Sequence, residues 1–132
     1  MLDGTCHCGA TGWRFSDNPA TVTACNCSLC RRFATFWAYG VAEQSVHFFG
    51  LTKTYERRDH DHLTFHICAT CGNMLGWVAR AANAEGSKGA AVNLRLIEDP
   101  APILDLPVRH FEGLESFSSL GHDTRTVKDM WF

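Results

Sequence analysis

Short runs of alternating hydrophobic and polar residues, separated by turn-forming residues, make up most of this 132-residue chain. Alternation with a period of two over four to eight residues is typical of half-buried β-strands. Such runs lie at 10–16, 20–26, 35–42, 45–50, 52–58, 63–67, 73–79 and 90–96, with a further candidate near 108–113. No helical periodicity longer than two turns is present, although one helical turn is expected directly after Cys30. The pattern therefore predicts a mainly β fold of short strands, many turns and short helical turns.

The length and charge of the chain narrow its class. The chain has the size of one domain and shows no linker, repeat or low-complexity segment, so we expect a single domain over residues 1–132. The net charge of −2 argues against a nucleic-acid groove or a membrane-surface patch, because both need clustered positive charge. The first ten residues lack the basic head and the apolar stretch of a secretory signal. We therefore expect a cytoplasmic protein with reduced thiols, no nucleic-acid partner and no membrane partner.

Seven cysteines are many for a reduced protein, and their grouping is more informative than their number. They fall in three clusters, which are Cys6 and Cys8, then Cys25, Cys27 and Cys30, then Cys68 and Cys71. In a reducing compartment, clustered cysteines usually bind metal or carry out redox chemistry.

The first and last clusters together have the composition of a structural zinc site. Cys68 and Cys71 form a C-x-x-C turn, and Gly72 lets the chain leave that turn with a positive φ. Cys6 and Cys8 lie on one face of an extended segment and can supply the two sulfurs that tetrahedral zinc still needs. The alternative is a redox C-x-x-C, which expects a βαβ context that the pattern does not show. We therefore favour structural zinc.

The middle cluster has three sulfurs, which is one fewer than a closed zinc site requires. Three protein ligands with one open position are the general form of a catalytic zinc site. The alternative is a second closed site whose fourth ligand is a histidine from elsewhere in the chain. The candidates are His7, His47, His60, His62, His66, His110 and His122. Spacing alone leaves both interpretations open.

Three motifs in order, "GTCHCG", "CNCSLCRR" and "CATCG", resemble the glutathione-dependent formaldehyde-activating enzyme family, whose domain centromere protein V-like proteins share. Weaker similarity at "AVNLRLIEDPAP" and "RHFEG" extends the resemblance from about Gly4 to Phe117. The resemblance implies a β-tent of small antiparallel sheets around zinc. It also implies two zinc sites per chain, and the second site can be incompletely occupied. The implied ligands are Cys6, Cys8, Cys68 and Cys71 for a structural zinc, and Cys25, Cys27 and Cys30 for the second.

The same resemblance implies an activity. The open position of the second zinc would take the thiol of glutathione, and the reaction would be reversible addition of glutathione to formaldehyde or a related aldehyde. The protein is then expected to be a zinc-dependent carbon–sulfur lyase in which Cys25, Cys27 and Cys30 act through the metal. Two features depart from the family pattern. Asn26 stands where histidine is common, and the chain is shorter than the formaldehyde-activating members.

The charge of the proposed site favours thiolate chemistry over hydrolysis. Zinc with three thiolates carries a formal charge of about −1 and is a weak Lewis acid, so it suits delivery of a thiolate better than formation of hydroxide. Arg31 and Arg32 follow the cysteines directly, and we predict that Arg31 binds a glutathione carboxylate. The alternative for Arg31 is a solvated side chain whose stem packs on the sheet.

Two further functions stay open from the sequence. The main alternative is a non-catalytic zinc scaffold that binds a thiol or a protein partner. A nucleic-acid-binding zinc ribbon is disfavoured by the acidic charge balance. The stretch "RDHDH" at 58–62 contains possible metal ligands, but its position between two strand candidates favours a solvated turn.

Overall fold

Strands dominate the fold, which we describe from a computed structural model of the chain over residues 1–130. The strands are β1 (Leu2–Thr5), β2 (Thr11–Phe15), β3 (Val22–Cys25), β4 (Trp37–Val41), β5 (Val46–Gly50), β6 (Thr52–Glu56), β7 (Leu63–Cys68), β8 (Met74–Ala79), β9 (Gly89–Asn93), β10 (Pro107–Glu112) and β11 (Ser118–Thr126). The helices are α1 (Cys30–Phe33), α2 (Val127–Met130) and 3-10 turns at Leu94–Leu96 and Ala101–Ile103. Within residues 1–130, no helix is long and apolar enough to cross a membrane. The predicted mainly β fold with short helical turns is confirmed.

The strands form two sheets. The smaller sheet has the order β1-β2-β5, and the larger has the order β11-β10-β3-β4-β9-β8-β7-β6. Neighbouring strands are antiparallel except β3 and β10, which run parallel with Cys25 beside Phe111. This parallel pair brings the tail of the chain alongside the middle cysteine cluster.

The structure differs from the strand prediction at four places. β1 and β11 were not expected, since their sequences show no clear alternation. The runs at 10–16 and 20–26 are strands as predicted, but β2 and β3 belong to different sheets. The run at 90–96 ends as a strand at Asn93, because the Asn93 side chain accepts a hydrogen bond from the Arg95 backbone N–H and starts a 3-10 turn.

Apolar side chains cover both faces of the larger sheet. Trp13 and Phe15 of the smaller sheet pack with Ala38 and Val92 in the main core. Trp37 and Ala91, which precede Ala38 and Val92 in the chain, point to the opposite face and join a second buried cluster that contains Cys27 and Cys30. Alternation along β4 and β9 therefore places the middle cysteines over a packed sheet face.

Asn93 is a buried polar residue that links three parts of the larger sheet. Its Oδ1 accepts hydrogen bonds from the backbone N–H groups of Phe36 at 3.0 Å and Arg95 at 3.2 Å, while its Nδ2 donates to the Met74 carbonyl at 3.0 Å. The side chain is only 2% exposed, so water cannot replace these partners. Asn93 therefore fixes β4, β8 and the end of β9 relative to one another.

We predict that Asn93→Leu lowers the free energy of unfolding by about 2–4 kcal/mol, because buried backbone groups at Phe36 and Met74 lose their partner. Asn18→Ala, at an exposed turn, is the matched control and should change stability little. Urea unfolding followed by tryptophan fluorescence measures both variants. Equal stability of Asn93→Leu and the parent protein would contradict the assigned role.

Candidate metal centres and adjoining cavities

The first and third cysteine clusters meet as the sequence predicts. The Sγ atom of Cys6 lies 3.5 Å from that of Cys8 and 3.6 Å from that of Cys68, while those of Cys8 and Cys68 are 3.7 Å apart. Cys71 completes the group, and all four sulfurs lie within 4.8 Å of one another. A tetrahedron of sulfurs about 2.3 Å from a central zinc has edges of about 3.8 Å. The donor set therefore fits zinc in both number and spacing.

Backbone N–H groups support these sulfurs. The Sγ of Cys68 accepts hydrogen bonds from the N–H groups of Thr70 and Cys71, both at 3.4 Å. The hydrogen bond from Cys71 is the main cause that lowers the pKa of Cys68 to about 5, so the thiolate is favoured at neutral pH. Gly72 has a φ of +79°, which confirms its predicted role in the turn. The local backbone therefore already suits a metal-binding thiolate.

The middle cysteines also gather around one point, at the end of β3 and the start of α1. The sulfurs of Cys25, Cys27 and Cys30 lie within 4.8 Å of one another. The Cys27 N–H donates to the Cys25 sulfur at 3.4 Å, and the Cys30 N–H donates to the Cys27 sulfur at 3.3 Å. Over residues 1–130, no histidine or carboxylate joins these three sulfurs. The geometry therefore favours an open three-cysteine site over one closed by a histidine.

Two side chains donate hydrogen bonds to this trio, and one of them has no signal in the sequence. The indole Nε1 of Trp37 donates to the Cys30 sulfur at 3.2 Å. Arg57 Nη1 donates to the Cys27 sulfur at 3.4 Å. The Arg57 side chain is only 10% exposed and forms an ion pair with Asp59 at 2.6 Å. That contact raises the pKa of Arg57, so a permanent cation lies against the trio. Sequence reasoning missed Arg57 because it lies far from the cysteines along the chain.

The tail of the chain encloses the trio from the other side. A Cβ atom on Gly113 would lie 2.7 Å from the Cys25 sulfur and 2.8 Å from Cys27 Cβ, so only glycine fits there. The Asn26 side chain accepts from the Gly113 N–H at 2.7 Å and donates to Glu112 at 3.1 Å. Asn26, which departs from the family pattern, therefore fastens the tail to the cysteine loop.

Glu112 in turn fixes the hairpin between β10 and β11. Its carboxylate accepts hydrogen bonds from the backbone N–H groups of Leu114, Glu115 and Ser116 at 3.0, 2.9 and 2.7 Å. These bonds, that from Glu115 first, lower the pKa of Glu112 to about 2. These hydrogen bonds favour the ionised carboxylate, so ionised Glu112 stabilises the folded protein. This stabilisation is complete above the ordinary pKa of glutamate and is lost only as the pH falls toward 2.

Two cavities adjoin at Arg57, which lines both. The larger, of about 570 Å³, also contains Arg32, Lys53 and Asp59 in its wall and is therefore rich in charge. The smaller, of about 160 Å³, is bounded on one side by the three cysteines and elsewhere almost entirely by apolar and aromatic side chains. The sulfurs thus line the apolar cavity, and Arg57 connects that cavity to the charged one.

Arg31 lies apart from both of these cavities. Its side chain is exposed on α1 and lines a third cavity of about 520 Å³ that Cys25 and Cys30 also line. A role for Arg31 in binding substrate stays a prediction. In the 58–62 loop, His60 contacts the Phe117 ring at 4.8 Å between centroids, and none of the five residues joins either sulfur group.

Fold and site together define a mainly β domain with one four-cysteine group and one three-cysteine group. The family model for glutathione-dependent formaldehyde-activating enzymes matches residues 1–104, and the chain belongs to this family. The match ends before β10, so it does not include the similarity predicted for "RHFEG".

A curated protein of Halomonas elongata that carries the same family name is 34% identical over 89 residues. The matched region is 59% of this chain, and the chain spans about half, 55%, of that relative's length. A crystal structure of a Rhodobacter sphaeroides protein shares the fold with a TM-score of 0.59 at 22% identity. The comparison covers 80% of this chain and 98% of that chain.

We predict that Gly113→Ala displaces Cys25 and Cys27 and lowers the zinc content from about two ions per chain to about one. Gly89→Ala is the matched control, since a Cβ there meets no atom within 4 Å. Native mass spectrometry gives the metal count, and circular dichroism shows whether the fold is retained. Two tightly held zinc ions in folded Gly113→Ala would contradict this assignment.

Proposed function

We propose that this protein is a zinc-dependent carbon–sulfur lyase that adds glutathione to formaldehyde, or to a related aldehyde, and reverses that addition. The observation that carries the proposal is the incomplete sulfur group. Cys25, Cys27 and Cys30 converge, and no further histidine, cysteine or carboxylate of residues 1–130 completes the set. Family membership supports the choice of glutathione and formaldehyde as substrates.

The donor set suits zinc at both positions because cysteine thiolates are ligands that zinc prefers. Four sulfurs close the first site, which would then have a structural role. Zinc held by the three sulfurs of the second site would supply an open position at which a substrate thiol loses its proton and is kept as a thiolate. In the addition, a carbon–sulfur bond forms and the thiol proton ends on the former carbonyl oxygen. Neither an oxidant nor a reductant is required.

The protein's own groups moderate the negative charge of this site. Three ligand thiolates and a substrate thiolate would place four negative charges around one divalent cation. Arg57 brings a positive charge to the Cys27 sulfur, and Trp37 donates a hydrogen bond to the Cys30 sulfur. Because both donors are largely buried, they act with little screening by water. Together they would make a fourth thiolate tolerable.

The larger cavity is suited to the peptide part of glutathione. Arg32 and Lys53 line it and offer two cations for the two carboxylates, while Arg57 is already paired with Asp59. Since Arg57 lines this cavity and also contacts the Cys27 sulfur, a peptide bound there would have the trio within reach of its thiol. Arg31 would serve the same purpose if a carboxylate lay in the third cavity.

The activity test compares metallated protein with the spontaneous reaction. We expect exchange NMR of mixtures of glutathione and formaldehyde to show faster interconversion with S-hydroxymethylglutathione when the protein is present. Cys27→Ala should abolish the acceleration while the four-cysteine site keeps one zinc and the fold. No acceleration by parent protein that carries two zinc ions would refute the enzymatic proposal and favour the zinc scaffold.

The two neighbouring arginines form a matched pair for locating the carboxylate. We predict that Arg32→Ala raises the KM for glutathione about tenfold, because a charge-assisted hydrogen bond is worth about 1.5–3 kcal/mol. Arg31→Ala removes the same charge one residue earlier and should change KM less. Steady-state kinetics at fixed aldehyde concentration measures both. A larger effect for Arg31→Ala would agree with the predicted role of Arg31 and would place the carboxylate in the third cavity.

A further inference from the structure

The smaller cavity offers more space than formaldehyde needs. Its volume is about 160 Å³. One water occupies about 30 Å³ in the liquid, and formaldehyde has only two heavy atoms. Even with zinc and the substrate sulfur next to the cysteines, a one-carbon aldehyde would therefore leave part of this cavity unfilled.

Aromatic rings form most of the wall. They are Trp37, Tyr39, Phe65, Trp77, Phe111 and Phe117, and Leu63 adds a further apolar side chain. Trp37 and Phe65 are each only 3% exposed, so the inner part of the wall is dry protein interior. An enclosed apolar cavity of about 150 Å³ accepts a benzene ring, and this cavity has a similar volume, although its outer part, at Tyr39 and Phe117, is exposed to solvent. Size and lining together therefore match one ring-sized apolar group.

The position of the cavity beside the cysteines indicates which part of a substrate would carry the apolar group. The three cysteines line this cavity, and Arg57 lines both it and the charged cavity. A peptide bound in the charged cavity would therefore have to extend its sulfur past Arg57 to reach the trio. The carbon that joins that sulfur then has its other substituent directed away from the peptide, into the aromatic space.

We propose that the natural carbonyl substrate is an aldehyde with an apolar substituent of about the size of a benzene ring. This inference rests on the proposed function, because it requires a glutathione thioadduct at the trio. The chemistry is the same addition. The glutathione sulfur bonds to the aldehyde carbon, the carbonyl π bond breaks, and the thiol proton ends on the new hydroxyl oxygen. The apolar substituent itself does not react.

Phe117, on the hairpin between β10 and β11, lines the outer part of the cavity. The ring of Phe117 lies edge-on to that of Phe111, with 5.3 Å between centroids, and is 53% exposed. Leu114 lies on the same hairpin, is 56% exposed and does not line the cavity. These two residues therefore allow a test that separates the cavity wall from the hairpin as a whole.

The binding test uses two thioethers that differ only in the substituent on sulfur, S-benzylglutathione and S-methylglutathione. We expect S-benzylglutathione to bind zinc-loaded protein at least about tenfold more tightly, because its ring leaves water for the aromatic cavity. Quenching of tryptophan fluorescence reports binding, since Trp37 and Trp77 line the cavity. Equal affinity, or tighter binding of the methyl compound, would overturn the inference.

Substitutions in the cavity wall test where the benzyl ring of S-benzylglutathione binds. Leu63→Trp fills the cavity and should weaken binding of the benzyl compound at least about tenfold while changing that of the methyl compound little. Phe117→Ala should weaken the benzyl compound selectively, and Leu114→Ala should not. Because Phe117 is half-exposed, its truncation is expected to preserve the fold, which circular dichroism checks. Unchanged preference for the benzyl compound in both Leu63→Trp and Phe117→Ala would place the ring elsewhere and overturn the proposal.

Activity measurements separate this inference from the function on which it rests. Acceleration of adduct formation with benzaldehyde at least about tenfold greater than with acetaldehyde supports both the lyase function and the proposed substrate class. Acceleration with formaldehyde and acetaldehyde, but none with benzaldehyde, overturns the substrate class and leaves the lyase function intact. No acceleration with any aldehyde, from protein with two zinc ions, overturns the lyase function and the inference with it.

Discussion

Convergence of cysteine sulfurs from distant parts of the chain is the constraint on which the rest of this structure depends. Cys6 and Cys68 are separated by 62 residues, yet their sulfurs lie 3.6 Å apart. This contact joins the segment after β1, in the smaller sheet, to the end of β7 in the larger sheet. Thiolates at such distances repel one another, so a divalent cation among them is the natural source of stability. The main core lies between the two sheets that this group holds together.

The second group has the same kind of donor atom but one sulfur fewer. Its three sulfurs come from one loop of six residues, which needs no distant partner to bring them together. The distant parts of the chain instead control what surrounds them. Arg57 moderates their charge, Trp37 donates to one sulfur, and Gly113 allows the tail to approach to van der Waals distance. A site with an open position therefore depends on more of the fold than the closed site does.

The charged cavity and the aromatic cavity meet at Arg57, and their difference in polarity matches the two parts of a thioadduct. The charged cavity suits the ends of a peptide, whereas the smaller cavity is lined mainly by aromatic side chains. Arg57 marks the boundary because its guanidinium contacts Cys27 and pairs with Asp59 at the same time. A thioadduct has the same division, with a charged peptide on one side of sulfur and a carbon substituent on the other. Shape and polarity of the protein thus follow the substrate class that we propose.

Local patterns in the sequence determined the mainly β class, most strand positions and the glycine turn after Cys71, because each depends on residues close together in the chain. The two cysteine groups followed from the number of sulfur ligands that a zinc ion needs. The sequence could not show β1 or β11, whose alternation is weak, nor that β2 and β3 belong to different sheets. It gave no sign of Arg57 or of Gly113 packed on Cys25, because contacts between residues far apart in the chain have no period or spacing to reveal them. Tertiary structure alone decided which aromatic residues became core and which became cavity wall. Trp37 and its neighbour Ala38 show why, since adjacent residues of one strand face opposite sides of the sheet, and only the packing of the other elements fixes what each side meets.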